Sequence, residues 1–138
     1  MAERAAPLGA HLPPRHIGYM IARIGIRLSR EMAMLDMFFD PASVAVIGAS
    51  ATPGKLGHDV LANLQSSGYG GELYPINPRG GEIRGIKAYA SILDVPGPVE
   101  MAVILVPAAF VAGVLEESGK KGVKGAVIIT AGFKEAGP

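Results

Sequence analysis

Apolar positions along this chain fall into short β-branched runs, separated by longer segments in which they recur every three or four residues. "SVAVIG" (43–48), "ELYPIN" (72–77), "MAVILV" (101–106) and "AVIIT" (126–130) are the runs, and their near-continuous hydrophobicity predicts parallel strands covered on both faces. Between them, "GHDVLANLQSSG" sets Val60, Leu61 and Leu64 on one helical side and ends at Ser67-Gly68, a C-cap pairing. "AAFVAGVLEESGKKG" turns Phe110, Val111, Val114 and Leu115 inward and stops near Gly119. The glycines of "GGEIRGIKAYASILDVPGP" break any long helix, so that segment is expected to hold a short edge strand over 86–89 and a helical turn over 91–93. Strands alternating with helices predict an α/β domain with a doubly wound parallel sheet. Such sheets take ligands at the carboxyl ends of their strands, which places four loops, 48–57, 77–81, 106–109 and 130–133, on one edge.

The pattern changes ahead of residue 34. "MAERAAPLGAHLPPRH" is rich in small residues and proline and reads as a flexible lead; "IGYMIARIGIRLSREM" then places Ile17, Met20, Ile21, Ile24 and Leu28 on one helical face, with Arg23, Arg27 and Arg30 among the polar positions. An Arg-rich, acid-poor amphipathic helix suits a membrane surface or a targeting segment. It equally suits a helix packed on the domain or a partner, or translated sequence upstream of a start at Met32, Met34 or Met37, and these plainer readings are preferred. Residues 1–33 are thus set apart from a domain at 34–138.

Charge follows the same division. The formal net charge is +1 over 138 residues, yet residues 1–33 carry five arginines against Glu3 and Glu31, and the remainder has eight Lys/Arg against ten Asp/Glu. A slightly acidic domain is a poor nonspecific binder of nucleic acid, whose affinity rests on basic clusters. Any anion has to be caught locally. The 49% apolar and 18% charged content supports one buried core. With no cysteine, a disulfide framework, a thiolate metal site and a cysteine nucleophile are excluded, which fits a reducing cytoplasm. No apolar run reaches the roughly 18 to 20 residues of a membrane span.

The loop "GASATPGKLG" after the first run fails two phosphate motifs and keeps their physics. Five residues rather than four separate Gly48 from Gly54, and Leu56 follows Lys55, so it is not a Walker A loop. Ser50 stands where a dinucleotide fingerprint needs its second glycine. What remains is close backbone approach at Gly48, Gly54 and Gly57, the unpaired N–H groups of a helix starting near Gly57, and the charge of Lys55. The second loop, Asn77-Pro78-Arg79-Gly80-Gly81, lacks the carboxylate that would hold the ribose hydroxyls of NAD. Arg79 suits a phosphorylated ribose, either the 2′-phosphate of NADP or the 3′-phosphate of coenzyme A. After the third run, Val106, Pro107 and Ala108 form a small apolar ledge for an adenine or a pantetheine arm.

"FFDPASVAVIGASATPGKLG", "YPINPRGGEIRGIKAYASI", "VILVPAAF" and "VIITAGFKEAG", in that order and spacing, resemble the N-terminal CoA-binding domain of the ADP-forming acyl-CoA (acetyl-CoA) synthetases, related to the succinyl-CoA synthetase α subunit. The likeness covers 35–138 almost continuously. It implies a Rossmann-like fold in which Ser50 and Gly54 to Leu56 approach the CoA phosphates and Arg79 meets the ribose phosphate. It further implies that Pro107 to Ala109 flank the nucleotide or pantetheine, and that Thr130, Ala131 and Gly132 lie towards the thiol. One departure is Arg79 itself, where the succinyl-CoA synthetase branch carries a lysine.

These enzymes activate an acid as an acyl phosphate, through a phosphorylated histidine, and pass it to CoA. His11, His16 and His58 are the histidines here, and none sits in the family's phosphohistidine context. His58, which opens the first helix, reads as a helix N-terminal or ligand-contacting residue. Glu116, Glu117, Lys120 and Lys121 read as solvated helix surface, without chemistry. The sequence stops in a glycine-proline turn where a doubly wound domain would continue, so a C-terminal truncation is expected. The expectation is a single CoA-binding domain with no catalytic residue and no metal ligand. ATP/ADP and magnesium, on this reading, belong to parts of the synthetase not present, and other domains or subunits are the partners, in a homo- or hetero-oligomer. Two alternatives stand beside it: a CoA-sensing regulatory domain of a protein acetyltransferase, and an NADP-binding oxidoreductase fragment.

Overall fold

The computed structural model describes residues 36–130 of the chain. The expected lead and amphipathic helix of 1–33, together with Ala131 and Gly132, lie outside the described residues. Four parallel strands form the sheet: β1 (Ser43–Ile47), β2 (Glu72–Ile76), β5 (Met101–Ile104) and β6 (Gly125–Ile128). Their spatial order is β2-β1-β5-β6. Helix α1 (Leu56–Ser66) connects β1 to β2, and helix α2 (Ala108–Lys121) connects β5 to β6. Between β2 and β5 lie an antiparallel hairpin, β3 (Gly81–Ile83) with β4 (Ile86–Ala88), and a 3-10 turn at Ile92–Asp94.

Strand β1 explains its own composition. It pairs on both sides, Val46 with Pro75 of β2 and with Val103 of β5, and all five of its residues are buried. Alternate side chains therefore enter different cores. Val44 and Val46 pack on one face with Leu61 of α1, which is fully buried, and with Leu64 and Leu73. Ala45 and Ile47 pack on the other with Ile92, Val95, Val99, Ile104 and Val114 of α2. Full burial of a side chain such as Leu61 contributes about 2 kcal/mol. Helices on both faces of one parallel sheet make this a doubly wound α/β domain.

The ends of the sheet differ in character. At the amino ends, Glu100 accepts from the Ala42 amide at 2.7 Å and from Lys124 Nζ at 2.9 Å, while its own amide donates to Ser43 Oγ. Bonds between side chains and backbone thus tie β1, β5 and β6 at this end. The carboxyl ends run into the four loops considered next.

Several boundaries depart from the sequence expectation. Helix α2 runs past Gly119 to Lys121, because Gly122 (φ +85°) supplies the left-handed C-cap. Phe110 and Leu115 are exposed rather than inward; Val111 and Ser118 are the buried positions of this helix. The expected edge strand at 86–89 is half of a hairpin, and Tyr89 adds a single bridge to Ile76 beside β2. The 3-10 turn begins one residue late because Ser91 caps it: Ser91 Oγ accepts from the Leu93 amide and Asp94 closes the box. At the far edge β6 leaves Val127 and Ile128 exposed, as is Ile129 after it.

Candidate functional site

The loop after β1 is built by two close backbone approaches. Gly48 has φ +94°, and a Cβ there would stand 2.5 Å from the Leu105 carbonyl oxygen. A Cβ on Gly57 would stand 2.0 Å from the Gly48 carbonyl oxygen. Glycine is thus required at both positions, so that the first turn of α1 can sit against the end of β1. Lys55 is the N-cap of α1 and offers no side-chain cap; the His58 and Asp59 amides donate to its carbonyl, and among the described residues the Leu56 and Gly57 amides have no acceptor, as is usual at a helix start. Ser50 Oγ accepts from the Thr52 amide at 3.1 Å and shapes the turn. Gly54, Lys55 and Leu56 form its exposed lip.

The second loop is stitched to the first. Gly48 and Ala49 amides donate to the Ile76 carbonyl, at 3.0 and 3.2 Å, and Asn77 Nδ2 donates to the Ala49 carbonyl at 2.8 Å. Asn77 Oδ1 in turn accepts from the Arg79 amide at 2.9 Å. Asn77 is therefore a brace between loops. Pro78 and Arg79 are exposed, and the Arg79 side chain makes no hydrogen bond or ion pair among the described residues.

The third and fourth loops join the same edge. The Leu105 amide donates to the Ile47 carbonyl at 2.8 Å, and Thr130 Oγ1 donates to the Val106 carbonyl at 2.7 Å. Val106 and Pro107 lead into α2, for which Pro107 is the N-cap and Ala108 the first residue. Gly48, Pro78, Val106 and Pro107 then share one apolar cavity of about 360 Å³, closed by Ile92, Phe110 and Glu117. So the structure brings Gly48, Ser50, Gly54 to Gly57, Asn77 to Arg79, Val106 to Ala108 and Thr130 to one end of the sheet.

His58 lies in the first turn of α1, as expected of a helix N-terminal residue, whereas Glu117 and Lys121 depart from their sequence reading as solvated surface, Lys121 Nζ donating to the Val95 carbonyl. His58 is not among the residues lining the cavity; its Nδ1 is 3.0 Å from Asp59 Oδ1 and its Nε2 3.2 Å from Arg84 Nη1. Glu117 is not solvated helix surface: it is half-buried, lines the cavity and accepts from Ser91 Oγ at 2.8 Å. The spacing of Phe110, Val114 and Glu117 along one helical stripe, i, i+4 and i+7, was the available signal. Glu116 does remain exposed, paired with Lys120. Among the described residues no three His, Cys, Asp or Glu side chains cluster as metal ligands, and no helix is long and apolar enough to cross a membrane.

Glycine-built backbone, an unengaged arginine and an apolar cavity at the edge of a doubly wound sheet suit a nucleotide-like ligand with a phosphorylated ribose. Comparison with known proteins points the same way. The chain is 55% identical over 104 residues to the α subunit of the ADP-forming acetate–CoA ligase II of Pyrococcus furiosus, a match covering 75% of the chain and 22% of that protein. It is 59% identical over 97 residues to the ADP-forming acetate–CoA ligase of Methanocaldococcus jannaschii, covering 70% of the chain and 14% of that protein. Among solved structures, an acetyl-coenzyme A synthetase of Ca. Korarchaeum cryptofilum in complex with phosphate and ADP superposes with a TM-score of 0.71 at 50% identity, over 73% of the chain and 22% of that structure. The chain spans less than a quarter of the length of these relatives. Residues 42–136 match the model of the CoA binding domain, and the chain belongs to that family.

Proposed function

We propose that this chain binds coenzyme A through its phosphorylated adenosine moiety, as the CoA-binding domain of an ADP-forming acid–CoA ligase. The observation that carries the reading is convergence. One sheet edge gathers the glycine-built turn at Gly48 and Gly57, the exposed guanidinium of Arg79 and the apolar cavity beneath Pro107. In this reading Ser50, the lip Gly54-Lys55-Leu56 and the backbone of Gly57 face the pyrophosphate, with helix α1 behind it. Asn77 and Pro78 present Arg79 to the 3′-phosphate, which a guanidinium fork binds bidentately. Val106, Pro107 and Ala108 flank the base or the pantetheine arm, and Thr130, followed by Ala131 and Gly132, leads towards the thiol.

The reaction of the whole ligase would interconvert acid, ATP and CoA with acyl-CoA, ADP and phosphate. Its phosphohistidine, its nucleotide-grasping region and magnesium are assigned to sequence outside the matched positions, so these residues bind CoA and supply no catalytic group. The other domains or subunits of a synthetase are the partners, in the reducing cytoplasm that a cysteine-free sequence fits. Calorimetric titration of the chain with CoA and with NADPH tests the reading. Tighter binding of CoA is expected; tighter binding of NADPH would overturn it in favour of an oxidoreductase fragment.

A further inference from the structure

The cavity is apolar except at one wall. Ile47, Ile76, Ile92, Val106 and Val114 supply hydrocarbon, and Glu117 supplies a carboxylate. One of its oxygens, Oε2, already accepts the Ser91 hydroxyl at 2.8 Å. Ser91 is itself fixed, since its Oγ accepts from the Leu93 amide and its own amide donates to Asp94 Oδ2 at 3.0 Å. On the helix side, Lys121 Nζ donates to the Val95 carbonyl, a second tie between α2 and the turn. The carboxylate is therefore held in place at the cavity wall rather than free to swing into solvent.

A carboxylate is an acceptor only, and one beside apolar surface selects for a donor on whatever fills the space. Resting on the CoA reading above, the occupant can be oriented. Arg79 and Pro78 are adjacent in the chain, and Pro78 lines the cavity together with Ala90 and Ser91. A ribose phosphate at Arg79 thus directs its base into the cavity at the side where Ser91 and Glu117 meet. Adenine carries one exocyclic donor, its N6 amino group.

We propose that Glu117, braced by Ser91, is the residue that reads the base, accepting a hydrogen bond from the adenine N6 amino group. A base with a carbonyl oxygen at that position would set an acceptor against a carboxylate. Loss of a hydrogen bond to a charged group in a desolvated site corresponds to roughly tenfold or more in affinity.

The test compares CoA with its deaminated analogue, in which hypoxanthine replaces adenine, by calorimetry on the full chain and on Glu117→Ala and Glu117→Gln. The wild type should bind CoA at least about tenfold more tightly than the analogue. Glu117→Ala should bind the two within about twofold, while Glu117→Gln, which keeps an acceptor oxygen and the shape, should retain part of the preference. Thermal unfolding confirms that each variant is folded. Equal wild-type affinity for the two ligands, or a preference that survives Glu117→Ala, would overturn the role of Glu117 and leave CoA binding standing. Failure of the wild type to bind either would overturn both.

Discussion

The carbonyl oxygen of Gly48 lies where a side chain on Gly57 would have to begin: a Cβ there would be 2.0 Å away. Both partners are backbone, one at the end of β1 and one in the first turn of α1, so neither yields by a rotamer change. Gly57→Ala must push the helix off the sheet or bend the turn. Overpacking of this kind costs about 1–3 kcal/mol and more where the neighbours are rigid. Chemical denaturation of Gly57→Ala should show a loss at or above the top of that range, with weaker CoA binding in whatever remains folded. A variant as stable as the wild type would mean that the contact is not present in solution.

Arg79 is exposed and its side chain has no protein partner among the described residues, so removing it should cost little stability. Its expected effect lies in ligand choice. Wild-type chain should prefer CoA over dephospho-CoA, which lacks the 3′-phosphate, by about 10- to 100-fold, the range for charge-assisted hydrogen bonds. Arg79→Ala should bind both alike, with a melting temperature close to the wild type. Because the phosphate term is electrostatic, the wild-type preference should also shrink as salt is raised. A preference unchanged in Arg79→Ala would move the ribose phosphate elsewhere.

How much of this was legible beforehand depended on the range of the interaction. The four strands announced themselves because a parallel sheet covered on both faces needs consecutive apolar residues, and Val44 to Ile47 obey that rule locally. The loop at Gly48 was legible for a related reason, since close backbone approach leaves glycine as its trace. Glu117 was not, because a carboxylate on a helix is ordinarily solvated, and only the tertiary contact with Ser91, 26 residues away, turns it inward. Sequence alone stops α2 near Gly119, although the left-handed position falls at Gly122. Helical period alone turns Phe110 inward; it lies on the cavity rim, where a large apolar residue remains 63% exposed.

Glu100 provides a pH dependence with a definite sign. The Ala42 amide, first, and the Lys124 ammonium, second, hold its carboxyl below the usual carboxylate range, against a smaller opposing effect of burial. A folded-state value below the unfolded one means that its stabilisation is fully present above the unfolded value and is lost as the pH falls through the folded one. Glu100→Gln, neutral throughout, should therefore be less stable than the wild type at pH 7, by about 1 kcal/mol for a partly exposed group. The gap should close as both are acidified below the carboxylate range. A gap that widens on acidification would contradict the assignment.

Arg84 occupies the first central position of the two-residue turn between β3 and β4, with φ +53°, followed by Gly85 at +78°. Two positive φ values make a turn that favours Asn-Gly or Gly-Gly, and an arginine there is strained. The side chain is in turn well engaged: Nε donates to Gln65 Oε1 at 2.7 Å and Nη1 lies 3.2 Å from His58 Nε2. Gln65 Nε2 donates back to the Arg84 carbonyl at 3.1 Å. These contacts tie the hairpin to α1 and offset the backbone cost. Arg84→Ala loses the side-chain bonds and keeps the strain, whereas Arg84→Gly loses the same bonds and relieves it. The glycine variant should accordingly be the more stable of the two by about 1 kcal/mol, with both below the wild type if the tether outweighs the strain. Thermal or urea unfolding of the three proteins separates the terms: the Gly–Ala difference reads the backbone, and the wild-type–Ala difference reads the tether. An alanine variant matching glycine would mean that the turn opens in solution, and the His58–Arg84 contact would go with it.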